Sequence, residues 1–549
     1  MVAPPAHERQ VVVHHVSQHR SPLLIVYGLL LNVADYASGK ELIRETESGG
    51  RPVHAAPETV PAAKERCGMI PLLSVIVPIF NVEPYLTECL KSLAAQTLDD
   101  IEVVLVDDGS TDGSRRVAED FVARDGRFVL LGQRNLGPGP ARNLGIRQAR
   151  GTYLAFADSD DVVPPEAYRR LVGSLAETGS EVACGAVRRL VDGVLEESIL
   201  HEKVFRRPQL CTHITDKQVL IRDRTVWNKV YRRDFWERCG LAFSAGIYED
   251  VPVAMQAHVL ATSVDMVGDV VYHWRKRDAG ETSITQRRAE LPNLWERLAA
   301  IRAVRAFLDE RAPELLDGFD ALVLEKDILF LFQALEACDE SGPLLELGAA
   351  WLAALSPKAL ATAPSLRRLE LHLLRHGMVR ELRKVRAFRR AREESARIVP
   401  RGRGDAEWYG DYPFFRRRRR LRIPDEVFDA RDELKLIARV EECSWSGGEY
   451  RLRGKVAIHR VDRKVDKVNL WLSDGRRRVP LEVRRAGRHG VTAAIDTRRL
   501  VGGGPSWRLQ VRAETRGLVL KGWARDGDAN SAWRFFVPGW SRSGMDIPQ

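Results

Sequence analysis

Between residues 73 and 157, runs that are mostly apolar alternate with stretches in which apolar residues recur three and four positions apart. The apolar runs are rich in β-branched residues and lack the polar alternation of a half-exposed strand, so they predict strands buried on both faces of a sheet. They cover residues 74–80, 101–110, 128–131 and 153–157. The stretches between them predict crossover helices, the second from about Ser114 and the third from about Pro140. This β-α-β-α-β-α-β order predicts a doubly wound, mostly parallel α/β sheet.

The pattern changes twice after this sheet. Residues 291–397 contain long amphipathic helical stretches, whereas from about Asp432 short alternating runs are separated by turn signals, as is typical of an all-β sandwich. Residues 1–68 show no sustained period. These changes predict four parts: a poorly ordered N-terminal extension (1–68), the α/β domain (69–288), a helical linker with a basic segment (289–425), and an immunoglobulin-like β-sandwich (426–549).

Composition narrows the class of protein. The chain of 549 residues is 44% hydrophobic and 29% charged, which is the balance of a globular protein. Its seven cysteines include no C-x-x-C pair, which argues against a zinc site or a disulfide framework and favours reduced thiols. The apolar run at residues 23–33 is too short to span a bilayer, which takes about 20 apolar residues. We therefore expect a cytoplasmic protein.

The net charge of +10 is concentrated in one segment. Residues 371–422 hold 17 basic and 6 acidic residues and so carry the whole excess. Such a block is often only a solvated face. It also suits peripheral attachment to anionic lipid at the inner face of the cell membrane, or the binding of a polyanionic acceptor. No RRM, KH, zinc-finger or helix-turn-helix signature accompanies it, so we do not expect nucleic-acid binding.

Polar residues follow each of the first four predicted strands at the point where the strand ends. Doubly wound sheets bind ligands at the carboxyl ends of their strands, so these residues are expected to converge on one site. They are Asn81, then Asp107 and Asp108, then Arg134 and Asn135, and finally Asp158 and Asp160.

Three motifs at these strand ends carry candidate chemistry. In DDGSTDGS (107–114) a carboxylate can accept hydrogen bonds from a nucleobase or a ribose, although Asp and Ser are also favoured helix caps. In FADSDD (156–161) three carboxylates within four residues repel one another unless a cation is present, which suits Mg²⁺ or Mn²⁺ bridging to a diphosphate; a turn with a cap is the alternative. In RNLGPGPARNLG (134–145) glycines allow close backbone approach to a ligand, and Arg142 could reach a phosphate or the aspartates.

Two later motifs add charged groups. Glu249 and Asp250 stand just before the apolar positions of a helix, where acidic residues also stabilise the helix dipole. The stretch Arg275, Lys276 and Arg277 is either a solvated loop or a clamp that neutralises a leaving diphosphate.

Taken as a set, SVIVPIFN, DDGSTD, RNLGPGPARNLG, ADSDD, WNKVYRRDF, YEDV and SIT resemble the inverting family 2 glycosyltransferases of the GT-A fold, which binds nucleotide-diphospho-sugars. The motifs span residues 73–286 in the order and spacing of that family. The helical linker and the β-domain resemble, more loosely, the glycosyltransferases that decorate wall teichoic acids. The chain has no Gln-x-x-Arg-Trp sequence, so the resemblance does not extend to the processive cellulose and chitin synthases.

The resemblance implies a nucleotide site at the first strand ends. Pro78, Phe80 and Asp108 match residues that hold the nucleoside, with Asp108 on the base. Asn135 and Arg142 match residues that line the nucleotide site.

It also implies a metal site and a catalytic base. Asp158 and Asp160 match the Asp-x-Asp motif, and Asp160 is the stronger candidate to hold Mn²⁺ or Mg²⁺. Asp250 matches the catalytic base, and Glu249 lies beside it. The remaining matches, in the flexible segment that closes over the diphosphate, are Arg277 and Ser283.

The implied reaction is the transfer of a sugar from a nucleotide-diphospho-sugar donor, expected to be a UDP-sugar, to a hydroxyl of a cell-wall or surface polymer of the teichoic-acid type. The acceptor would be an anionic polymer or glycan. Two alternatives stay open: an acceptor that is a lipid-linked or capsular saccharide, and a non-catalytic scaffold that binds nucleotide sugars or polyanions. The β-domain shows no acid/base or metal motif, and we expect it to dock polymer or to form a homo-oligomer.

Overall fold

The computed structural model describes residues 70–277, 286–338, 341–393, 396–402, 406–446, 449–500, 506–526 and 531–536. All of them belong to one compact unit of the chain, Pro57–Gln549. The extension predicted for residues 1–68 lies outside the described residues, and so does Ser283.

Within the described residues, nine strands form one sheet, which confirms the predicted α/β fold. Their spatial order is β3-β2-β1-β4-β8-β5-β9-β7, with β6 on β5. Parallel pairs join β1 to β2, β1 to β4 and β2 to β3, so the first four strands end at one edge. β8 is antiparallel to both neighbours. The strands are β1 (Leu73–Ile79), β2 (Ile101–Asp107), β3 (Phe128–Gly132), β4 (Tyr153–Phe156), β5 (Val182–Val191), β6 (Val194–Glu197), β7 (Gln209–Thr212), β8 (Lys229–Arg232) and β9 (Val264–Arg275).

The central strands are buried on both faces, as their sequences predict. Val75 and Val77 of β1 point into one hydrophobic cluster, whereas Ile76 between them belongs to another. This alternation follows from the two-residue repeat of a strand. Helices cover both faces of the sheet: α1 (Glu83–Ala94), α2 (Ser114–Arg124), α3 (Pro138–Gln148), α4 (Ala167–Thr178), α5 (Glu202–Phe205), α6 (Arg233–Arg238) and α7 (Asp250–Leu260).

The helical region is packed against the sheet. One hydrophobic cluster runs from Phe156 of the sheet through Leu298 and Phe332 to Phe428. A π-helical turn, Val323–Asp327, interrupts the helices. No helix in the described part of the chain has both the length and the apolar character needed to cross a bilayer. The helices are α8 (Leu291–Arg311), α9 (Leu316–Leu322), α10 (Ile328–Ala337), α11 (Gly342–Ala354), α12 (Pro357–Thr362), α13 (Ser365–Arg375) and α14 (Val379–Arg392).

The basic segment divides into two parts with different surroundings. In the first part, the buried carboxylate of Glu370 accepts hydrogen bonds from three arginines: Arg367 at 2.8 Å, Arg386 at 3.3 Å and Arg389 at 2.8 Å. These arginines therefore stabilise the packing of α13 and α14 against each other.

The second part, residues 416–422, is an arginine loop. Arg418 is buried and fixes the loop, because its guanidinium stacks 4.4 Å from the Phe415 ring centroid and pairs with Asp425. The other arginines of the loop are exposed, and no ion pair joins them to any described residue. They are Arg416, Arg417, Arg419, Arg420 and Arg422.

The C-terminal region is all β, as predicted. Its two sheets share the strand β15, whose first half pairs with β14 and whose second half pairs with β16. Side chains from both sheets, such as Leu472 and Val491, form one core. A small antiparallel pair that the sequence did not predict, β10 (Ile398–Arg401) with β11 (Glu407–Gly410), precedes it. The strands are β12 (Leu436–Ser446), β13 (Glu449–Ile458), β14 (Lys467–Ser473), β15 (Arg478–Ala486), β16 (Gly490–Ile495), β17 (Ser506–Thr515), β18 (Leu518–Trp523), β19 (Arg525–Asp526) and β20 (Arg534–Phe536).

Candidate active site

The first wall of the site is organised by Asp108, which follows β2 and is 3% exposed. Its Oδ1 accepts hydrogen bonds from the Gln133 side chain at 2.7 Å and from the Leu136 N–H at 2.9 Å. Its Oδ2 accepts one from the Gly137 N–H at 2.8 Å. Asp108 therefore holds the start of the glycine-rich segment in place across the strand ends.

Gly137 and Gly139 fit the glycine-rich segment into place in different ways: Gly137 by its backbone conformation, and Gly139 by its close approach to other backbone. Gly137 has φ of 96°, a conformation that favours glycine, and α3 starts at the next residue. Gly139 packs against Ser244 and Glu249: a methyl group there would collide with the Ser244 carbonyl oxygen and lie 3.2 Å from Glu249 Cγ. The first turn of α3 thus lies directly against the segment that leads to Asp250.

Arg142 joins the two halves of the site. It projects from α3 and is 4% exposed. Its Nη2 donates to Asp158 Oδ1 at 2.6 Å, and its Nη1 donates to Glu249 Oε1. The Phe243 ring lies 5.4 Å from its guanidinium carbon. A single buried cation therefore fixes the carboxylate of Asp158, after β4, relative to that of Glu249, which directly precedes α7.

The aspartates after β4 meet the arginines at the end of β9. Arg277 Nε donates to Asp160 Oδ2 at 2.6 Å. Arg275 Nε donates to the Asp160 carbonyl at 2.7 Å, and its backbone N–H donates to Asp161 Oδ1 at 2.7 Å. The Tyr272 hydroxyl accepts a hydrogen bond from the backbone N–H of Asp158 at 2.9 Å. The acidic turn and the basic stretch predicted as a clamp are thus in contact.

Asp161 and Tyr272 are site residues that sequence reasoning missed. Asp161 is 2% exposed, and the Tyr272 ring stacks 4.2 Å from that of Trp227. Together they attach the turn after β4 to β9. The third acid of FADSDD could have pointed to Asp161, because a buried carboxylate beside two candidate metal ligands needs hydrogen-bond donors from the protein.

Burial raises the pKa of several carboxyls here. The pKa of Asp161 lies well above its usual value because of burial and the neighbouring charges of Asp160 and Asp158. Burial also raises the pKa of Asp158 and of Glu249, and Arg142 opposes the rise at both. Burial thus disfavours the charged form of each carboxyl, and Arg142 favours it at Asp158 and Glu249.

Asp250 is the first residue of α7 and is partly buried. Burial and the charge of Glu249 raise its pKa to about 7, and Arg142 and Arg224 oppose the rise. A carboxyl with such a pKa exchanges its proton near neutral pH, which is the property of a general base.

The other predicted residues lie at the ends of β1 and β3. Pro78 is in β1, where it pairs with Val106. Phe80 follows β1 with 38% of its surface exposed, and its ring is available to a ligand. Asn135 is exposed. Its backbone nitrogen lies close to Gly109, where an added methyl group would be only 3.0 Å from it and where φ is +76°. These three therefore lie at the strand ends next to Asp108, as the parallel pairing of β1, β2 and β3 requires.

The described residues contain no group of three or more His, Cys, Asp or Glu side chains arranged to hold a metal ion by themselves. Asp158 and Asp160 each give one carboxylate oxygen to an arginine. Two carboxylates spaced in this way fit a hard cation that takes its remaining oxygen ligands from a bound diphosphate.

The first part of the described chain is similar in sequence to known proteins. Residues 74–239 match the sequence profile of Glycosyl transferase family 2. The chain is 37% identical to the uncharacterized glycosyltransferase EpsJ of Bacillus subtilis over 221 residues, 39% of this chain and 64% of EpsJ. The match thus spans less than two thirds of EpsJ. The chain is 28% identical to the glycosyltransferase GlyG of Streptococcus pneumoniae over 269 residues, 47% of this chain and 85% of GlyG.

Comparison of folds extends further along the chain. The crystal structure of TarS from S. aureus aligns with a TM-score of 0.52 over 83% of this chain and 79% of TarS, at 18% sequence identity. At that identity the likeness concerns the fold. It confirms the predicted order of a GT-A domain, a helical region and a C-terminal β-domain.

Replacing Gly139 with alanine tests the close contact between α3 and the segment before Asp250. The added methyl group meets the Ser244 carbonyl, so we expect the free energy of unfolding to fall by about 1–3 kcal/mol. Chemical denaturation followed by tryptophan fluorescence measures this change.

Gly126→Ala is the matched control, because nothing lies within 4 Å of a methyl group at that position. Its stability should stay within about 0.5 kcal/mol of the wild type. Equal stability of the two variants would contradict the close contact at Gly139.

Proposed function

We propose that this chain, whose residues 74–239 match Glycosyl transferase family 2, transfers a sugar from a UDP-sugar to a hydroxyl of a teichoic-acid-like surface polymer with inversion. One observation carries the proposal: Arg142 binds both Asp158 and Glu249. It thereby fixes the acidic turn, which would face the diphosphate, at a set distance from Asp250. Asp250 has a pKa of about 7, as a general base requires.

The donor occupies the strand ends in this proposal. The exposed ring of Phe80 and the half-buried Pro78 meet the nucleoside, and Asn135 lies on the nucleotide. Asp108 faces the base, and its contacts to Leu136 and Gly137 also shape the wall of that pocket. Hydrogen-bond acceptors at this position in doubly wound sheets commonly recognise nucleotides.

Asp158 and Asp160 would hold a divalent cation, Mn²⁺ or Mg²⁺. When bound, such an ion would neutralise charge that develops on the leaving diphosphate. Arg277 lies at the same carboxylate and adds a second positive charge there. Ser283 would act with it, as the family resemblance implies.

Asp250 acts on the acceptor. Its carboxylate removes the proton from the attacking hydroxyl as that oxygen bonds to the anomeric carbon, and the diphosphate leaves from the opposite face. A single displacement inverts the configuration. Glu249, held by Arg142, keeps the start of α7 in position for this step.

The arginine loop supports an anionic acceptor. Its five exposed arginines form no ion pair with the described residues, and the flanking Phe415 and Ile423 are buried in the core. Phe414 and Leu421 also pack partly against that core, so the loop offers mainly charge, which suits a dissolved polyanion. Attachment to the inner face of the membrane is the alternative, and self-association or polymer docking is the role we propose for the β-domain.

Asp250→Asn should lower the rate of sugar transfer by about 10²- to 10⁴-fold, because the amide cannot accept the proton. Donor affinity should stay close to that of the wild type. The test incubates the protein with Mn²⁺ and a panel of nucleotide sugars, scores donor hydrolysis and transfer, and measures UDP binding by calorimetry. Wild-type turnover by the variant would remove Asp250 as the base.

The pH dependence of transfer should show a limb near pH 7. Asp250 works only when it is deprotonated, so the rate should rise about tenfold per pH unit below 7 and level off above it. Rates at saturating donor between about pH 5 and 9 measure this limb. A rate that is flat across that range would contradict the assignment.

Changing Arg417, Arg419 and Arg420 together to glutamine should raise the KM for a polyol-phosphate polymer by about tenfold. Each exposed arginine that is lost should weaken polymer binding by about 0.5 kcal/mol. The KM for the donor should not change. Sedimentation with anionic vesicles in the absence of polymer tests the membrane alternative.

The charge-matched control changes Arg375, Arg380 and Lys384 to glutamine. These residues are also exposed and belong to the same basic stretch. An equal rise in KM for both triple variants would show a general effect of net charge and would contradict a role for the loop.

A further inference from the structure

The helical region places one buried carboxylate between two arginines beside the site. Asp327 ends the π-helical turn and is 1% exposed. Its Oδ2 accepts a hydrogen bond from Arg224 at 2.9 Å, and its Oδ1 accepts one from Arg297 at 2.7 Å. Both arginines are largely buried, and π-helical turns recur at functional positions in proteins.

Arg297 carries this contact to Tyr248. Its guanidinium carbon lies 4.1 Å from the Tyr248 ring centroid, and its Nη2 donates to the Tyr248 hydroxyl at 2.7 Å. The hydroxyl in turn donates to the Asn293 side chain. Phe330 packs on the same guanidinium, 4.7 Å away. Tyr248 is thus held by Asn293 and Arg297 of α8, and Phe330 of α10 packs against Arg297.

Tyr248 directly precedes Glu249 and Asp250, so its position determines theirs. Gly246 lies against the same helix, because a methyl group there would come within 2.5 Å of Glu296 Oε2. Arg224, the other partner of Asp327, lies near enough to Asp250 to lower the pKa of that carboxyl. The segment 246–250 therefore rests on the helical region.

We propose that Asp327 is a positioning residue for the transfer reaction: by holding Arg297 it fixes Tyr248, and through Tyr248, together with Arg224, it sets the place of Asp250. This inference rests on the proposed function. It makes the helical region a part of the active site in addition to a connection between domains.

Charge explains why one residue can have this effect. Removing the Asp327 carboxylate leaves two buried guanidinium groups without their shared anion, and like charges in a buried place repel each other. Arg297 then loses its ion pair with the π-helical turn, and its guanidinium no longer has a fixed position against the ring of Tyr248.

The test compares Asp327→Asn with Glu325→Gln. Glu325 lies two residues earlier in the same turn and pairs with Arg222 at the surface, so Glu325→Gln is a matched loss of charge. We expect Asp327→Asn to lower kcat at least tenfold while the Kd for UDP changes less than twofold. Glu325→Gln should match the wild type in both. Unchanged kcat in Asp327→Asn would overturn the proposal.

Tyr248→Phe is the second variant, in case Asp327→Asn does not fold. It keeps the ring and removes only the hydroxyl that joins Arg297 to Asn293. A severalfold lower kcat with unchanged UDP affinity supports the proposal, and a wild-type kcat contradicts it.

Hydrogen exchange separates this proposal from the proposed function. Peptides that cover residues 244–250 should exchange faster in Asp327→Asn than in the wild type or in Glu325→Gln, whether or not a donor has been found. If the wild type hydrolyses no donor, the proposed function fails, and equal exchange in all three proteins would refute the positioning role by itself.

Discussion

The arrangement of the site depends on one buried arginine. Arg142 has almost no contact with water, yet it bonds to Asp158 on one side and to Glu249 on the other. A buried cation with fewer partners would be costly, and so would either buried carboxylate without the cation. The three groups therefore determine one another's positions, and the distance between the end of β4 and the start of α7 is fixed by ionic contacts.

The same principle recurs around the site. Arg277 holds Asp160, and Asp327 holds Arg224 and Arg297. In each case a charge is kept in the interior because an opposite charge on a different element meets it. Such pairs add little net stability compared with apolar packing, but they define relative position well. Precise placement of charge is what the proposed transfer reaction requires.

The sequence predicts the sheet and most of the site because both rest on local rules. Buried strands are apolar on both faces, and their carboxyl ends are adjacent, so Asp108, Asp158 and Asp160 could be assigned to one edge. The contacts of Arg142 with Glu249, 107 residues later, follow no local rule. Asp161 and Tyr272 were missed for the same reason, and the arginines of α14 could not be told apart from those of the arginine loop until their partners on α13 were seen.

The continuous hydrophobic cluster has a consequence for how this chain can be divided. It extends from Phe156 in the sheet to Phe428, while the core of the β-domain includes Ile398 and Trp408, which come earlier in the chain. A cut at the end of β9 would open the first cluster to water along its length, and a cut near residue 430 would take Ile398 and Trp408 away from the second. The unit that recombination could exchange intact between genes is therefore the sheet together with its helices and the β-domain.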